Sequence, residues 1–488
     1  MSQHFDVVVI GASLGALAAG AVLSRRGFRV LVLGHHDRPA TYTYDGHALY
    51  RRVSQFAVYG SRAWVRLLTE LAQLQPMRRR LVPLEPMFQV LAPGIRLDAF
   101  RDGAKFLRAI HRAYPDMGDT VASLYTHLSL LNEATDKILD EDIVAPPGTF
   151  WERRRASGWR KLPFAGLSAP TEIVGIDRQH PFAVQFEAVS RSLGNAWPSS
   201  ALGLARMHAL ATRGPMMLPG GDSAWAQFFQ DRIEAHGGLV RARGRAHRID
   251  GAHGRVAAVV ADDESRVSCN FVATSLPIAG AMALAGALHP SSSSVSMRRF
   301  AMTVVAASDG VPIPIGREAV IIDGTQLMRI EILREGDSAT IALEMETAID
   351  EPLRHLRERA LVLLERYLPF LEGHYRLIDS PNDGLPLWDF RSGKRVDIPR
   401  EELVAGDGTT KAEAMGTLFS LPEKSWAGIA GEPIRYPLAG MFGVGPSVLP
   451  ALGQEGEVLA AISVARLITQ TDKPRERMRK EMWRKMEV

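Results

Sequence analysis

The chain has 488 residues, 46% of them hydrophobic and 23% charged, with one cysteine and a formal net charge of +4. That length exceeds one simple core and asks for two or three domains. The single Cys269 excludes an internal disulfide and a four-cysteine metal site, and so small a net charge argues against general nucleic-acid binding.

Asp6 stands where a secretory signal would be basic, and no small-residue cleavage site follows, so a cytoplasmic location is expected. The apolar run from Val7 to Leu23 is broken by Gly11, Gly15 and Gly20 and falls short of the roughly 20 residues of a membrane span. Val7 to Ile10 and Val30 to Leu33 read as buried parallel strands, because they are continuous and β-branched rather than alternating. Between them Leu14 to Arg26 is a small-residue helix closed by Gly27. Residues 60–80, 101–113 and 119–140 have helical spacing, whereas Ala145 to Phe164 lacks clean periodicity and reads as a surface loop or short interfacial segment.

A second organised block starts at Pro219-Gly220-Gly221. Asp222 or Ser223 caps a helix that Gly237 and Gly238 end, and strands follow around Leu239, Val256 to Val260 and Phe271 to Thr274. Residues 317–348 alternate as an antiparallel sheet would, and Glu351 to Leu371 reads as a long amphipathic helix. Near the end, a strand, a tight turn and a helix opening at Gly453 repeat the logic of the start.

The order of these three blocks resembles the flavoprotein superfamily of phytoene desaturases, amine oxidases and their relatives. The resemblance implies an α/β fold: a Rossmann-like FAD/NAD(P)-binding domain (1–70, 215–300 and 430–470) and a second, mixed α+β substrate domain (71–214 and 301–429), followed by a tail (471–488). It implies cofactor contacts at Gly11, Ser13, Leu14, Gly15 and Ala16 in the first turn, where backbone amides and the helix dipole would meet the pyrophosphate. It extends them to Gly34, His35 and Arg38 after the second strand, to Ala246 in the middle block, and to Gly445, Pro446, Gly453 and Gly456 in the last.

Several of these positions depart from the family. Ser13 and Ala16 replace glycines. Gly34 replaces the acidic residue that would accept the ribose hydroxyls, Ala40 and Thr41 replace a glycine pair, and Pro446 replaces an aspartate and removes an N–H. A charge-assisted pair is worth about 1.5–3 kcal/mol, so weak or partial FAD loading is expected, and Gly34→Glu should tighten binding. Three readings stay open. The first is an FAD-dependent oxidoreductase acting on an apolar substrate. The second is a cofactor-degenerate protein binding a lipid or protein partner, as the Rab GDP-dissociation inhibitors of this superfamily do. The third is an NADP-binding protein in which Gly34, His35, His36 and Arg38 take the 2′-phosphate.

No metal pattern occurs among the 14 histidines, and no catalytic side chain stands out; Arg51, Arg52 and Trp388 read as solvent or core residues. Residues 473–488 carry seven basic residues against three acidic, with Met478, Met482 and Met486 on one helical stripe beside Trp483. This pattern suits a peripheral contact with an anionic membrane or a partner groove, and equally a solvated helix. Arg153 to Arg155, flanked by Trp151, Trp159 and Phe164, add to the membrane reading.

Overall fold

The computed structural model describes residues 4–54, 60–398 and 412–486. β1 (His4–Ile10) and β2 (Val30–Leu33) are parallel, with Val7 beside Val30 and Ile10 beside Leu33. Their apolar runs are buried because helices cover one face and a β-meander packs the other. Between them α1 (Leu14–Arg25) starts at the Ser13 cap, whose hydroxyl accepts from Ala16 N–H. Gly27, at φ 80°, turns the chain out of the helix.

Seven strands form the first sheet among the described residues. Its order runs Ala246–Ala252, Arg255–Ala261, Arg266–Thr274, β1, β2 and Leu239–Arg241, with Met441–Gly443 parallel to Arg266–Thr274. Three segments far apart in sequence therefore end side by side: β1 at Ile10, the middle block at Thr274, the last block at Gly443. The helices Gly221–Ala235 and Gly453–Thr469 pack on α1.

The second sheet has ten strands, and Ser294–Ala307 pairs with three of them: Ser338–Thr347, Tyr375–Asp379 and Gly416–Ser420. A boundary at residue 300 thus falls inside one continuous strand, which belongs to the second sheet throughout. The helix Leu356–Tyr367 covers a core of Phe300, Met302, Ile330, Ile341 and Leu343.

Other elements differ from the pattern reading. Residues 60–80 hold two helices, Arg62–Glu70 and Leu74–Arg80, separated where Ala72 takes φ 53°. The long helix near 351–371 is confined to Leu356–Tyr367, after a 3-10 turn at Leu353–His355. The segment 145–164 is ordered as a short helix, Phe150–Arg155, and a 3-10 turn, Ala156–Lys161. Trp159 and Phe164 lie in the main core, so they are not part of an exposed face. No helix among the described residues is long and apolar enough to cross a membrane.

Candidate functional site

The site lies where the ends of β1, Arg266–Thr274 and Met441–Gly443 converge. Ser275 joins the turns: its N–H donates to Ile10 O (2.9 Å), while Val444 N–H donates to Thr274 O (2.8 Å). A Cβ on Gly15 would stand 2.1 Å from Val444 O, so glycine is required there for the first and last turns to touch. Gly11 leaves room for the Ser275 side chain, whereas Gly445 presses on the Ser275 carbonyl, and Gly453 and Gly456 on the carbonyls of Leu193 and Leu449. Gly15, Gly445, Gly453 and Gly456 hold backbone against backbone, a packing role that exists with or without a phosphate. Ala12, Ser13 and Leu14 remain partly solvent-accessible at the mouth of the turn.

The head of α1 carries the amides that would cradle an anion. Each of four has a partner inside the chain. Ala12 N–H donates to the Asp37 carboxylate, and Ser13 N–H reaches the same group. Gly15 N–H donates to Glu457 Oε2 (3.0 Å), which also takes the Ser13 hydroxyl. Ala16 N–H donates to Ser13 Oγ. Two carboxylates therefore stand where a pyrophosphate would, one from the loop after β2 and one from the helix Gly453–Thr469.

The cleft around them is charged. Arg52 is paired with Asp222 (2.6 Å) and lies within electrostatic reach of both Asp37 and Glu457. The surrounding protein desolvates Glu457 and pushes its carboxyl up to about 7, only partly offset by Gly15 N–H and Arg52. The same crowding raises Asp37, against the pull of the Ala12 amide and Arg52. Asp37 and Arg52 nevertheless remain exposed, and Glu457 half-buried. Sequence reasoning gave Arg52 and Asp222 other roles and missed Glu457 altogether.

Gly34 does not mark a vacated ribose site. A Cβ there would meet Ala242 O at 1.9 Å, because Leu239–Arg241 pairs beside β2 and brings its following carbonyl against the strand end. The expected gain from Gly34→Glu is therefore corrected: the carboxylate has no room to enter. His35, at φ 47°, donates its N–H to Gly244 O and accepts from Ala246 N–H through Nδ1 (3.2 Å), so these two predicted contacts bind each other. Burial first, then His36 and Arg245, lower His35 to about 4 and keep it neutral at neutral pH. Arg38 is paired with Glu413 (3.5 Å). A neutral His35 and a paired Arg38 do not assemble the basic pocket that a 2′-phosphate requires.

Arg51 ties the loop after Ala40 in place, donating to Glu413, Pro39 O and Thr41 O. Pro446 is partly exposed and offers no N–H, and the neighbouring Ser447 is turned to Glu432 (3.0 Å). Trp388 lies between Arg357 and Arg395 in the second sheet. Among the described residues no group of three or more His, Cys, Asp or Glu is placed to hold a metal.

A pyrophosphate, which carries two negative charges, does not fit these residues as arranged. It would have to displace Asp37 and Glu457 from the amides and then stand beside both, with Arg52 as the cation they share. At Gly34, the position of the family's acidic residue, the Ala242 carbonyl leaves no room for a side chain, so no carboxylate is offered to a ribose there.

Residues 9–71 match the NAD(P)-binding Rossmann-like domain. No curated protein matches the chain. An oxidoreductase from Methanosarcina mazei aligns with 94% of this chain and 100% of its own, at 16% identity and a TM-score of 0.55. Putrescine oxidase, in a structure bound to putrescine, aligns with 96% of this chain and 99% of its own, at 15% identity and a TM-score of 0.55. The chain has the Rossmann-containing, two-sheet fold of the FAD-dependent oxidoreductases and amine oxidases, with altered residues at the positions where the resemblance places flavin contacts.

Proposed function

We propose that this protein keeps the flavoprotein frame without the redox chemistry of a resident FAD, and works as a binding protein. One observation carries the reading: the amides at the head of α1 are already satisfied by Asp37 and Glu457. An anion-binding turn whose donors are taken by the chain's own carboxylates repels the phosphate it would otherwise attract. Three carboxylates, Asp37, Asp222 and Glu457, share Arg52, so the cleft floor suits a neutral or cationic ligand better than a dinucleotide. An apolar ligand would have to lie beyond this floor. In the second domain the cavity walled by Phe88, Val189, Leu193, Val320 and the Glu318–Arg329 ion pair is only about 10 Å³, room for a single water and not for an apolar ligand.

The test is cofactor loading. Purified protein is expected to be colourless, and millimolar FAD should not raise its melting temperature, as any ligand of the native state must. Asp37→Ala together with Glu457→Ala removes both carboxylates from the α1 amides and should convert the turn to measurable FAD binding. Yellow wild-type protein releasing stoichiometric FAD would end the proposal.

An FAD-dependent oxidoreductase is the second reading, favoured by the raised Glu457 carboxyl and the solvent-accessible turn. Below pH 7 Glu457 is protonated, its repulsion of a phosphate disappears, and FAD affinity would rise as pH falls. In that case flavin itself would accept the reducing equivalents, and this chain's residues would only position the substrate. FAD titrations at pH 6 and pH 8 separate the two readings: no binding at either pH leaves the first alone.

A further inference from the structure

The segment 148–161 leaves the body of the protein at Gly148 and returns to it at Ala156, Trp159 and Leu162, all buried. Between those points the helix Phe150–Arg155 carries its two aromatic residues outward. Phe150 is 71% and Trp151 67% exposed, among the most exposed large apolar side chains described. They pack edge to face on each other, with centroids 5.4 Å apart. Two adjacent bare rings on a short ordered helix are not the scattered single apolar residues of an ordinary surface.

The helix is held rigidly from below. Thr149 and Glu152 form a capping box, and Glu152 is also clamped by Arg435 at 2.5 and 2.9 Å. Glu152, the segment's one acidic residue, is thereby turned towards the body. Arg153, Arg154, Arg155, Arg160 and Lys161 are all exposed along the same segment, with the Arg154 guanidinium 6.0 Å from the Trp151 ring centroid.

The carboxylates at the base are similarly engaged: Asp140 with Arg62, and Asp142 with Arg66, Arg466 and Arg479. Glu141 is exposed at the end of the preceding helix. Arg155 lies within electrostatic reach of Arg466, which shares Asp142 with Arg479 of the helix Lys473–Met486. That helix adds exposed Arg477, Met478 and Lys480.

We propose that Phe150 and Trp151 form a membrane-insertion tip that docks this protein on an anionic lipid surface. The rings enter the interface, where an aromatic body finds apolar depth, and the five exposed cations of the segment meet the lipid headgroups. The charge argues for anionic lipid over a neutral bilayer, and the paired rings argue for insertion over purely electrostatic adsorption. The tip is separate from the dinucleotide cleft and does not rest on what that cleft binds.

The experiment is co-sedimentation of the full chain with large unilamellar vesicles, either pure phosphatidylcholine or with one third phosphatidylglycerol. Wild type should partition onto the anionic vesicles only, and less so as salt is raised. The variant F150S/W151S should lose about tenfold in partition coefficient, and R153E/R154E/R155E should lose the salt-dependent part. Both side-chain sets are exposed, and unchanged circular-dichroism melting establishes that the variants fold. Three outcomes overturn the proposal: no partition onto anionic vesicles; wild-type partition by F150S/W151S, which would move the contact to the tail helix; or a dimer in sedimentation velocity that F150S/W151S abolishes, which would make the tip a self-association site.

Discussion

Glu457 follows Gly456 in a helix that packs on α1, and its carboxylate takes the Gly15 N–H across that contact. Its folded-state pKa, about 7, lies above its ordinary 4.5. The native state therefore holds the proton more tightly than the unfolded chain. The charge is a destabilising burden that is complete above pH 7 and disappears as pH falls towards 4.5. Glu457→Gln keeps an acceptor for Gly15 and removes that burden. The variant should melt a few degrees above wild type at pH 8 and level with it near pH 4.5. An equal gain at both pH values would show that the charge is not the cause. Gly34 gives the opposite kind of prediction. With Ala242 O in the place of a Cβ, Gly34→Ala forces the strand edge apart and should cost about 1–3 kcal/mol, read as a lowered denaturant midpoint at unchanged slope.

At the next scale, the helix Gly453–Thr469 is fixed by a buried polar knot. Glu455 takes two hydrogen bonds from Arg206 (2.9 and 2.6 Å) and one from Ser61 (2.6 Å), while Arg206 also donates to Asn132. Arg206 and Glu455 are each 1% exposed. Removing one partner strands the other as a buried charge, so Arg206→Ala should cost about 3–5 kcal/mol, whereas Arg206→Met paired with Glu455→Leu should recover much of it. Thermal melts of the single and double variants check both. Little in the sequence announced this knot, because its members are spread over more than three hundred residues. The helix carrying Arg206, Ala201–Ala211, is buried on every side and has no polar face to set a period. Where an apolar run is continuous and β-branched or a turn demands glycine, the sequence was readable: β1, α1 and β2 lie where their apolar runs and Gly27 put them. The strand Ser294–Ala307 was hidden by Arg298 and Arg299, whose adjacency looks like surface. Arg299 is buried and spends its guanidinium on the carbonyls of Arg191 and Gly194 and on Asn195. In the site the backbone requirements were legible. The occupation of the amides was not, since nothing local says that Glu457 reaches a turn more than four hundred residues earlier.

Across the whole molecule, the tail helix Lys473–Met486 works as a clasp. Arg475 donates to Gly27 O (2.8 Å), lies 4.1 Å over the Phe28 ring and approaches Asp6 at 3.8 Å, so it ties the tail to the turn before β2 and the start of β1. Arg479 is buried and pairs with Asp142 (2.9 Å), beyond the end of the helix Gly118–Asp140. Burial alone would raise Asp142, but Arg479, Arg466 and Arg66 outweigh it and hold the carboxyl at about 2. Two of the tail's seven basic residues are thus spent on the body of the protein, which leaves fewer for an outside anion. A chain ending at Asp472 should therefore melt lower than the full chain, by about 3 °C or more at neutral pH. The double variant R475A/R479A in the full-length protein should reproduce most of that fall, because the cation–π contact and the buried ion pair account for the docking. A fully solvated tail would leave both melting temperatures where they were. With the clasp intact at neutral pH and weakened only as Asp142 is protonated below pH 4, the folded-state pKa near 2 adds a stability that grows from pH 2 to pH 4 and then stays level. Thermal melts of the full and shortened chains should accordingly differ by a constant amount from pH 5 to pH 8.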